Sequence, residues 1–411
     1  MFGASVISNN FIGKLDDPEK VSQMSDTTTC VRAPEVSEEG YASLAASVHR
    51  ASTIVFPDSA AYANRAERGA DGYSYGLSGT PTTRKLQAAI NELQTAEGTL
   101  LLPSGQAAIM LVFVSVLKPG DTVLVPDCAY APVRSFCKNF LAPRGIHHRV
   151  YNPLASADEI AELFDETVRL IWVETPGSTT MEMSDVTALV AKAHASDILV
   201  GCDNTWATPL NFKPVSVGVD FVAEALTKYP GGHSDVLMGS VSVRDRDWFL
   251  SLKSMMSMMG LGVSPDDCAL VLRGLETMPL RLRHSQKVAL EFAQRICDQV
   301  SPDLVLHPAL PNDPGHALWK RDFSGASGVF SIVIPDEKVS FVTEAIDCAK
   351  TFSIGASWGG THSLLAPMSV AADRTFPWPG DANMILRISI GLEDPDDLWR
   401  DLQSIVDAIA S

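Results

Sequence analysis

The chain has no cluster of basic residues and carries a large excess of negative charge. Its 411 residues include 32 lysines and arginines against 49 aspartates and glutamates, so the formal net charge is −17. Nucleic acids and acidic membrane surfaces are bound by clustered lysine and arginine side chains, which this sequence does not supply. We therefore expect neither a nucleic acid nor a membrane as a partner, and a small molecule as the ligand.

Long hydrophobic runs and regularly spaced cysteines are also missing. Apolar stretches such as 99–102 and 169–173 have the length of strands, far short of the roughly 20 residues that a membrane span needs. The seven cysteines are odd in number and lack the paired spacing of metal ligands. The first residues lack the basic and then apolar pattern of a secretion signal. These absences predict a cytoplasmic protein with reduced thiols and no metal site.

The chain does contain a regular alternation of strand-like and helix-like segments in its first part. The strand-like segments are residues 99–102, 122–125, 169–174, 198–203, 220–225 and 239–243. The helical patterns cover residues 81–98, 105–117, 132–141 and 184–195. Such alternation predicts an α/β fold in which helices flank a mostly parallel sheet.

The pattern changes after a methionine-rich stretch at 254–262. A long amphipathic segment follows at 268–300, then strand candidates at 328–334 and 384–390 and helices at 341–351 and 396–410. Two domains are the natural expectation for a chain of this length. We therefore predict an N-terminal arm at 1–70, a large parallel-sheet domain at 71–263 and a smaller α+β domain at 264–411.

Lys228 is the residue whose surroundings best suit a chemical role. It follows the apolar stretch 220–226 and precedes the glycine pair Gly231-Gly232, where backbone can approach a ligand closely. A lysine at a buried strand end is costly to ionise, so burial lowers its pKa and leaves a nucleophilic amine. Such an amine is what a Schiff base with an aldehyde cofactor requires.

Asp203 supplies the second half of such a site. It ends the apolar strand 198–203, and ligands of open α/β sheets bind at the carboxyl ends of the strands. Pyridoxal phosphate needs an acid partner that keeps its ring nitrogen protonated, because the pyridinium is an electron sink. Lys228 and Asp203, one strand apart, fit these two roles. The sequence therefore predicts pyridoxal 5'-phosphate as the cofactor.

A phosphate site is indicated at Ser104-Gly105-Gln106, where a strand turns into a helix. The first N–H groups of a helix are free to bind an anion, so Gly105 and Gln106 are candidate backbone donors. The hydroxyl of Thr227 is a further candidate donor. Taken alone, the tripeptide is more often an ordinary helix start.

Arg387 is the candidate for binding the α-carboxylate of an amino-acid substrate. In a strand pattern, Leu386 and Ile388 face one side while Arg387 faces the other, toward the cleft between the domains. A guanidinium matches a carboxylate with two parallel hydrogen bonds and fixes its orientation. A surface arginine on an edge strand is an equally good interpretation of the residue in isolation.

Seven segments follow one another in a fixed order over nearly the whole chain beyond about residue 40. They lie at 75–82, 103–109, 174–178, 203–207, 227–235, 357–360 and 386–394. With these segments the chain resembles the Cys/Met-metabolism family of pyridoxal-phosphate enzymes. The resemblance implies a fold-type I, aspartate aminotransferase-like architecture and a homotetramer built from two close dimers.

The resemblance also implies a role for each matching residue. It makes Lys228, Tyr130 and Tyr75 catalytic, with the ring of Tyr130 over the cofactor ring and Tyr75 acting in a neighbouring subunit. It implies cofactor contacts by Lys228, Asp203, Gly105, Gln106, Thr227, Tyr130, Tyr75 and Ser178. It implies substrate contacts by Arg387, Ser357 and Trp358. A tyrosine ahead of a helix, such as Tyr130, is otherwise more often plain packing.

Two positions depart from the family pattern around the phosphate. Leu77 stands where relatives commonly have an arginine that reaches the phosphate of the neighbouring subunit, and Ala225 stands where a serine hydroxyl is usual. A bidentate, charge-assisted contact is therefore missing. Two interpretations stay open: the cofactor is bound more weakly than in relatives, or another group such as Arg84 compensates.

Trp358 and Ser178 bear on which bond is broken. In the family, enzymes acting at the γ-carbon usually carry Leu and Asn at these positions, whereas enzymes acting at the β-carbon typically carry Trp and Ser. His362 replaces the usual glutamate, which predicts a different outer substrate pocket.

These residues predict a carbon–sulfur β-lyase that converts L-cystathionine to homocysteine, pyruvate and ammonia in methionine biosynthesis. Chemistry at the γ-carbon and cleavage of cystine or another cysteine S-conjugate remain as alternatives. A catalytically idle regulator on the same fold is a remote one.

Overall fold

Two β-sheets divide the chain between them in the computed structural model, which describes residues 39–370, 374–376 and 384–411. The first sheet is built from residues 98–243 and the second from residues 305–389. The larger part of the predicted N-terminal arm, residues 1–38, lies outside the described residues. The predicted domain bounds stay a prediction, although each sheet falls within one predicted domain.

The first sheet has seven strands in the order β1-β7-β6-β5-β4-β2-β3. They are β1 (Gly98–Leu102), β2 (Thr122–Pro126), β3 (His147–Tyr151), β4 (Val168–Glu174), β5 (Leu199–Asp203), β6 (Phe221–Glu224) and β7 (Gly239–Val243). The strands β3, β2, β4, β5 and β6 run parallel, while β7 is antiparallel to both of its neighbours. The expected mostly parallel sheet is confirmed.

The strands of this sheet are largely buried, except for β3 at its edge. The helices of this part of the chain are α1 (Ser59–Ala63), α2 (Pro81–Gln94), α3 (Gly105–Val116), α4 (Ala131–Phe136), α5 (Ala157–Ala161), α6 (Val186–His194), α7 (Thr208–Asn211) and α8 (Arg246–Met258). Helix α2 starts with a capping box at Thr80 and a proline in its first turn, and Ser104 caps α3 by accepting from the N–H of Ala107 at 3.1 Å. Both starts agree with the sequence prediction.

The second sheet has five strands in the order β10-β11-β12-β9-β8. They are β8 (Val305–Leu306), β9 (Val329–Ile334), β10 (Ser353–Ile354), β11 (Leu364–Met368) and β12 (Met384–Ser389). The accompanying helices are α9 (Pro265–Cys297), α10 (His316–Asp322), α11 (Val339–Asp347) and α12 (Pro395–Ala410). Strand β12 pairs with β11 on one side and β9 on the other, so Arg387 lies on an inner strand and not on an edge.

Some elements were not expected from the sequence. Strand β3 begins with the polar run His147-His148-Arg149 at the edge of its sheet, which breaks the apolar pattern of a buried strand. The predicted helix at 132–141 continues from α4 into a π-helical turn, Cys137–Leu141. The methionine-rich stretch at 254–262 begins inside helix α8 and continues past its end.

The described part of the chain contains no helix that is both long and apolar enough to cross a membrane. In that same part, no group of three or more histidine, cysteine, aspartate or glutamate side chains is arranged to hold a metal ion. The six cysteines at described positions are unpaired, and five of them are buried, as the sequence predicted for reduced thiols.

Candidate active site

A cavity of about 260 Å³ opens at the carboxyl ends of β4 and β5, beside the first turn of α3. Nine of the residues predicted for the site line it together: Gly105, Gln106, Tyr130, Ser178, Asp203, Thr227, Lys228, Trp358 and Arg387. Their sequence positions span both sheets, so the two halves of the chain meet at this cavity. A more open cavity of about 580 Å³ beside α9 and α10 contains none of the predicted residues.

Lys228 projects into the cavity from the turn that follows β6. Its Nζ donates a hydrogen bond to Ser357 Oγ at 2.8 Å and lies 5.3 Å from the centroid of the Trp358 ring. Burial, and after it the positive charge of Arg387, lowers the pKa of Lys228 to about 8. The amine is therefore held in the partly desolvated state that nucleophilic and general-base chemistry require.

Asp203 and Glu174 lie side by side because β4 and β5 are parallel and in register at these two residues. Burial raises the pKa of both carboxyl groups, and the closeness of the two raises that of Glu174 further. Asp203 Oδ1 accepts a hydrogen bond from the N–H of Thr205 at 2.9 Å. A cationic ring nitrogen placed beside Asp203 would favour its ionised form, which is the role predicted for it.

Glu174 organises the loops around the cavity. Its Oε2 accepts from the N–H of Tyr130 at 2.7 Å, and its Oε1 accepts from the N–H of Ser178 at 2.9 Å. One buried carboxyl group thus holds both the tyrosine predicted to lie over the cofactor and the serine predicted beside it. The sequence motif contained Glu174, but nothing in the motif assigned it this role.

The first turn of α3 has the geometry of an anion site. The hydroxyl of Ser104 accepts a hydrogen bond from the N–H of Ala107. The N–H groups of Gly105 and Gln106 are therefore the free donors of this turn. A Cβ at Gly105 would lie 2.7 Å from Cβ of Ala225, so the turn packs tightly against the chain that leads to Lys228. Helix dipole and free donors together favour a phosphate here.

Gln106 lines the cavity and has unused polar atoms. Its side-chain Oε1 and Nε2 are buried and have no hydrogen-bond partner among the described residues. Buried amide groups are almost always hydrogen-bonded in native proteins. The residues of this cavity therefore fit pyridoxal phosphate: a reactive amine, an acid, an anion-binding helix start and unused polar atoms.

Thr227 and Ala225 lie beside this turn, but their hydrogen-bonding differs from the expectation. The hydroxyl of Thr227 already donates to the carbonyl of Met238 at 3.1 Å and accepts from its N–H at 3.0 Å. A phosphate contact by this hydroxyl requires that the donated bond be redirected. Ala225 lines the cavity without offering a donor, so its role and that of Thr227 stay predictions.

Arg387 reaches the cavity from β12 in the second sheet and is only 4% exposed. Its Nη1 donates to the carbonyl of Ser178 at 3.1 Å, and its Nη2 donates to the carbonyl of Ala356. Burial lowers the pKa of Arg387 to about 10, yet the group remains a cation at neutral pH. No carboxylate of the described residues pairs with it in an ion pair, which leaves its charge available to an anionic substrate.

Tyr75 is the predicted catalytic residue that the structure does not bring to this cavity. It is 56% exposed and is not among the cavity-lining residues. Both observations are compatible with the predicted role in a neighbouring subunit, which stays a prediction. Arg84 donates to the carbonyls of Ser78 and Ala70 at 2.6 and 3.2 Å and holds this turn together. Arg84 does not line the cavity of its own chain, and the suggestion that it compensates for the arginine missing at Leu77 stays a prediction about the neighbouring subunit.

The family model described as Cys/Met metabolism PLP-dependent enzyme matches residues 27–406. The chain belongs to this family. Membership confirms the expected pyridoxal-phosphate cofactor and an enzyme of lyase type, and it agrees with the cavity described above. The individual site roles predicted from the sequence stay predictions.

Relatives within the Cys/Met metabolism family carry more than one activity in their names. A putative cystathionine beta-lyase of Rhizobium johnstonii is 41% identical over 360 residues, which are 87% of this chain and 89% of the relative. Cystathionine beta-lyase MetC of Escherichia coli is 36% identical, over 87% of this chain and 92% of its own. An L-alanine/L-glutamate racemase of Wolbachia pipientis is also 36% identical, over 93% and 96%. Racemisation was not among the activities expected from the sequence.

Solved structures of this family confirm the expected fold type. The structure of metB from Corynebacterium glutamicum matches with a TM-score of 0.81 and 26% identity, covering 94% of this chain and 98% of its own. Cystathionine gamma synthase from Xanthomonas oryzae pv. oryzae, in complex with cystathionine, matches with a TM-score of 0.78 and 29% identity, covering 90% and 94%. A shared fold does not by itself decide whether an enzyme acts at the β- or the γ-carbon.

Proposed function

We propose that this chain is a carbon–sulfur β-lyase that cleaves L-cystathionine to homocysteine, pyruvate and ammonia. The observation that carries the proposal is the indole of Trp358, buried beside the Lys228 amine, because tryptophan at this position is the pattern of β-acting family members. Ser178 at the cavity wall follows the same pattern. The cystathionine beta-lyase of Escherichia coli and the putative one of Rhizobium johnstonii, as relatives of this chain, support it.

Arg387 orients the amino-acid substrate in this proposal. Its guanidinium binds the α-carboxylate with parallel hydrogen bonds, and the carbonyls of Ser178 and Ala356 hold the guanidinium in place. A fixed carboxylate determines which bond at the α-carbon is presented to Lys228. The buried setting excludes water and strengthens the ion pair.

Lys228 is the general base. When bound, pyridoxal phosphate supplies an electron sink for the pair released as the α-carbon loses its proton. Nζ of Lys228 takes that proton, and a pKa near 8 makes the neutral amine available close to neutral pH. Ser357 accepts a hydrogen bond from Nζ and keeps it aimed into the cavity. The carbon–sulfur bond at the β-carbon then breaks, and homocysteine leaves as its thiolate.

The overall reaction balances with one water molecule. Cystathionine and water give homocysteine, pyruvate and ammonia, with no net oxidation or reduction. Residues of this chain therefore need to supply proton transfers and orientation only, and the cavity offers a base at Lys228 for the first of these transfers.

Racemisation of a small amino acid is the second candidate function. It is favoured by one observation, the 36% identity to the L-alanine/L-glutamate racemase over 93% of this chain. Both functions begin with removal of the α-proton by Lys228 and differ in what happens next. A lyase expels a group from the β-carbon, whereas a racemase returns a proton to the opposite face of the α-carbon.

Product identification separates these functions. Purified holoenzyme is incubated with L-cystathionine, and pyruvate is the expected 2-oxo acid. Appearance of 2-oxobutyrate instead means γ-chemistry. Cleavage of cystine with no turnover of cystathionine means that the substrate is cystine or another cysteine S-conjugate. Conversion of L-alanine to D-alanine without pyruvate supports the racemase. Lys228→Ala is the control that removes every one of these activities.

A catalytically idle regulator predicts a different set of results. Such a protein turns over none of these amino acids, although it still binds pyridoxal phosphate.

The variant Trp358→Leu tests whether Trp358 favours β- over γ-chemistry, because leucine is the residue of γ-acting members at this position. We expect this variant to lower pyruvate formation from cystathionine and to raise the ratio of 2-oxobutyrate to pyruvate.

We also propose that the enzyme is a cytoplasmic homotetramer in which Tyr75 completes the site of a neighbouring subunit. Its exposure of 56% in the single chain supports this placement. Tyr75→Phe and Lys228→Ala chains are each expected to be nearly inactive alone. Refolded together, they regain activity in hybrids that contain one intact site, up to about a quarter of the wild-type level by random pairing. A mixture that stays inactive overturns the placement.

A further inference from the structure

Arg374 lies on the connection between β11 and β12 and joins two loops that border the cavity. Its side chain is 7% exposed. On one side its Nε lies 3.2 Å from Asp127 Oδ2. On the other, Nη1 and Nη2 donate to the two carboxylate oxygens of Glu182 at 2.8 and 2.7 Å. We call these three residues, Arg374, Asp127 and Glu182, the Arg374 bridge.

The Asp127 arm of the bridge leads to Tyr130. Asp127 directly follows β2, and its side chain is fully buried. Its carboxylate accepts from the N–H groups of Thr375 at 3.0 Å and of Phe376 at 2.8 Å, and pairs with Arg134 Nη1 at 3.0 Å. Residues 374–376 are thereby held against Asp127, three residues ahead of Tyr130.

The Glu182 arm leads to Ser178 and from there to the substrate site. The carbonyl of Glu182 accepts from the N–H of Gly177 at 3.0 Å, directly before Ser178. The carbonyl of Ser178 accepts from Arg387 Nη1 at 3.1 Å. Thr180 Oγ1 donates to Glu182 Oε2 at 2.6 Å, which fixes the carboxylate that Arg374 binds. This arm therefore determines the position of the loop whose Ser178 carbonyl binds the guanidinium of Arg387.

Two cations, Arg374 and Arg134, face the two carboxylates of the bridge. Asp127 and Glu182 are both buried anions, and Arg134 offers a cation to Asp127 alone. Loss of Arg374 leaves Glu182 without a cationic partner, and a buried carboxylate left in this state is strongly unfavourable. The loop that carries Glu182 must then move toward water or the carboxylate must take up a proton.

We infer that Arg374 is a positioning residue of the active site. Through Asp127 it holds the position of Tyr130, and through Glu182 it holds the positions of Ser178 and Arg387. Arg374 itself does not line the cavity. The inference rests on the proposed site roles of Tyr130 and Arg387, and it concerns geometry rather than the identity of the substrate. Through Arg374, the positions of the loops that carry Asp127 and Glu182 depend on a segment that connects two strands of the second sheet.

The test uses the holoenzyme and three variants. Arg374→Met removes the bridge, and Arg374→Lys keeps its charge but loses the paired hydrogen bonds to Glu182. Arg321→Met is the matched control, since Arg321 also joins the second half of the chain to the first through two hydrogen bonds, to Asp185 at 3.0 and 2.7 Å, but away from the cavity. If Arg374→Met does not fold, Arg374→Met combined with Glu182→Gln takes its place, because it leaves no unpaired charge.

The first measurement is hydrogen exchange by mass spectrometry, which needs no substrate. In Arg374→Met we expect exchange at 127–136 and at 175–184 to be at least about tenfold faster, and that of α12 to be unchanged. The visible circular dichroism of bound pyridoxal phosphate is expected to change as well, with partial recovery in Arg374→Lys. Arg321→Met is expected to match the wild type in both measurements.

The kinetic measurement follows with whichever amino acid the wild type turns over. We expect Arg374→Met to raise the apparent KM by about tenfold or more and to lower kcat less, because the carboxylate site of Arg387 is disturbed more than the base. Exchange that rises only at 374–376, with unchanged circular dichroism and KM, overturns the inference. Failure of the wild type on cystathionine overturns the proposed function alone, since exchange and dichroism still report on the bridge.

Discussion

Lys228 and Ser357 lie in segments that connect strands of different sheets, and they meet through one hydrogen bond, from Nζ to Oγ at 2.8 Å. Ser357 lies in the segment between β10 and β11, whereas Lys228 follows β6. The contact makes the direction of the amine depend on the second half of the chain. Trp358, the next residue, lies against the same amine and packs edge-on against Tyr229 with ring centroids 5.7 Å apart.

Replacing Ser357 with alanine is expected to lower kcat by roughly fivefold with a small change in KM. One neutral hydrogen bond contributes about 1 kcal/mol, and its loss lets the amine leave the direction needed for proton transfer. Steady-state kinetics with the established substrate measures the effect. Ser353→Ala, an exposed serine on β10, is the control and is expected to match the wild type. An unchanged kcat in Ser357→Ala contradicts the role.

The pKa of Lys228 can be read from the cofactor-free enzyme. Only the neutral amine reacts with an aldehyde, so the rate at which Lys228 links to pyridoxal phosphate should rise with pH and level off above about 8. Burial is the main reason for this low value, and the cation of Arg387 is the second. Stopped-flow absorbance at a series of pH values gives the midpoint.

Variants of Arg387 test the electrostatic part of this explanation. Arg387→Gln removes a positive charge that disfavours the ammonium form, so the midpoint for Lys228 should move to higher pH. Arg387→Lys keeps the charge and is expected to leave the midpoint near its wild-type position. Equal midpoints in the two variants would show that the charge of Arg387 does not act on Lys228.

Gly105 is expected to be essential for tight cofactor binding. A Cβ at this position would lie 2.7 Å from Cβ of Ala225, so Gly105→Ala pushes the first turn of α3 away from Lys228. Overpacking typically costs about 1–3 kcal/mol, which corresponds to a loss of roughly five- to 150-fold in affinity for pyridoxal phosphate. Fluorescence titration of the cofactor-free enzyme measures it.

A second substitution distinguishes overpacking from other causes. Ala225→Gly removes the methyl group that Gly105→Ala would contact, so the double variant should recover part of the lost affinity. Recovery is partial because Cα of Ala225 would still lie 3.0 Å from the new Cβ. Ala225→Gly alone serves as the control. If the double variant binds no better than Gly105→Ala, the steric explanation is wrong.

The sequence predicted elements well where burial leaves a simple pattern. Strands β4 and β5 were expected within one residue of their observed bounds, because both are apolar runs covered on two faces. Lys228 and Asp203 were found for the same reason, since each follows or ends such a run. The polar edge strand β3 and the short strand β8 carry no comparable pattern and were missed.

The parts of the site that the sequence did not reveal depend on contacts between distant loops. Glu174 holds the N–H of Tyr130, 44 residues earlier in the chain. Arg374 binds Glu182 across a separation of 192 residues. Periodicity reports which face of an element is buried, whereas these contacts join backbone or side-chain groups of irregular segments and leave no local pattern. Only the folded arrangement brings them together.

Glu224 is expected to make the stability of the enzyme fall as the pH rises. It is fully buried on β6, and its Oε2 accepts from Gln94 Nε2 at 3.3 Å while its Oε1 has no partner among the described residues. Burial raises its pKa from the ordinary value of 4.5 to about 8. The folded protein therefore binds the proton more tightly than the unfolded chain does between these values.

The sign of the effect follows from this difference. The stabilising contribution of protonated Glu224 is complete below about pH 4.5 and is lost as the pH rises through about 8. Glu224→Gln keeps a neutral group of the same shape and does not titrate. Relative to the wild type, the variant should be nearly unchanged in Tm at pH 5 and more stable at pH 9, by an amount of the order of a few kcal/mol.

Thermal unfolding of both holoenzymes between pH 5 and pH 9 measures this difference. Glu174 shifts in the same direction, but it is present in both proteins, so its contribution largely cancels in the comparison. Glu92→Gln, at an exposed position on α2, is the control and should change Tm by the same small amount at every pH. A Tm difference for Glu224→Gln that is constant across the pH range means that Glu224 does not titrate there, and the buried carboxyl group must then be ionised with a partner that stabilises its charge.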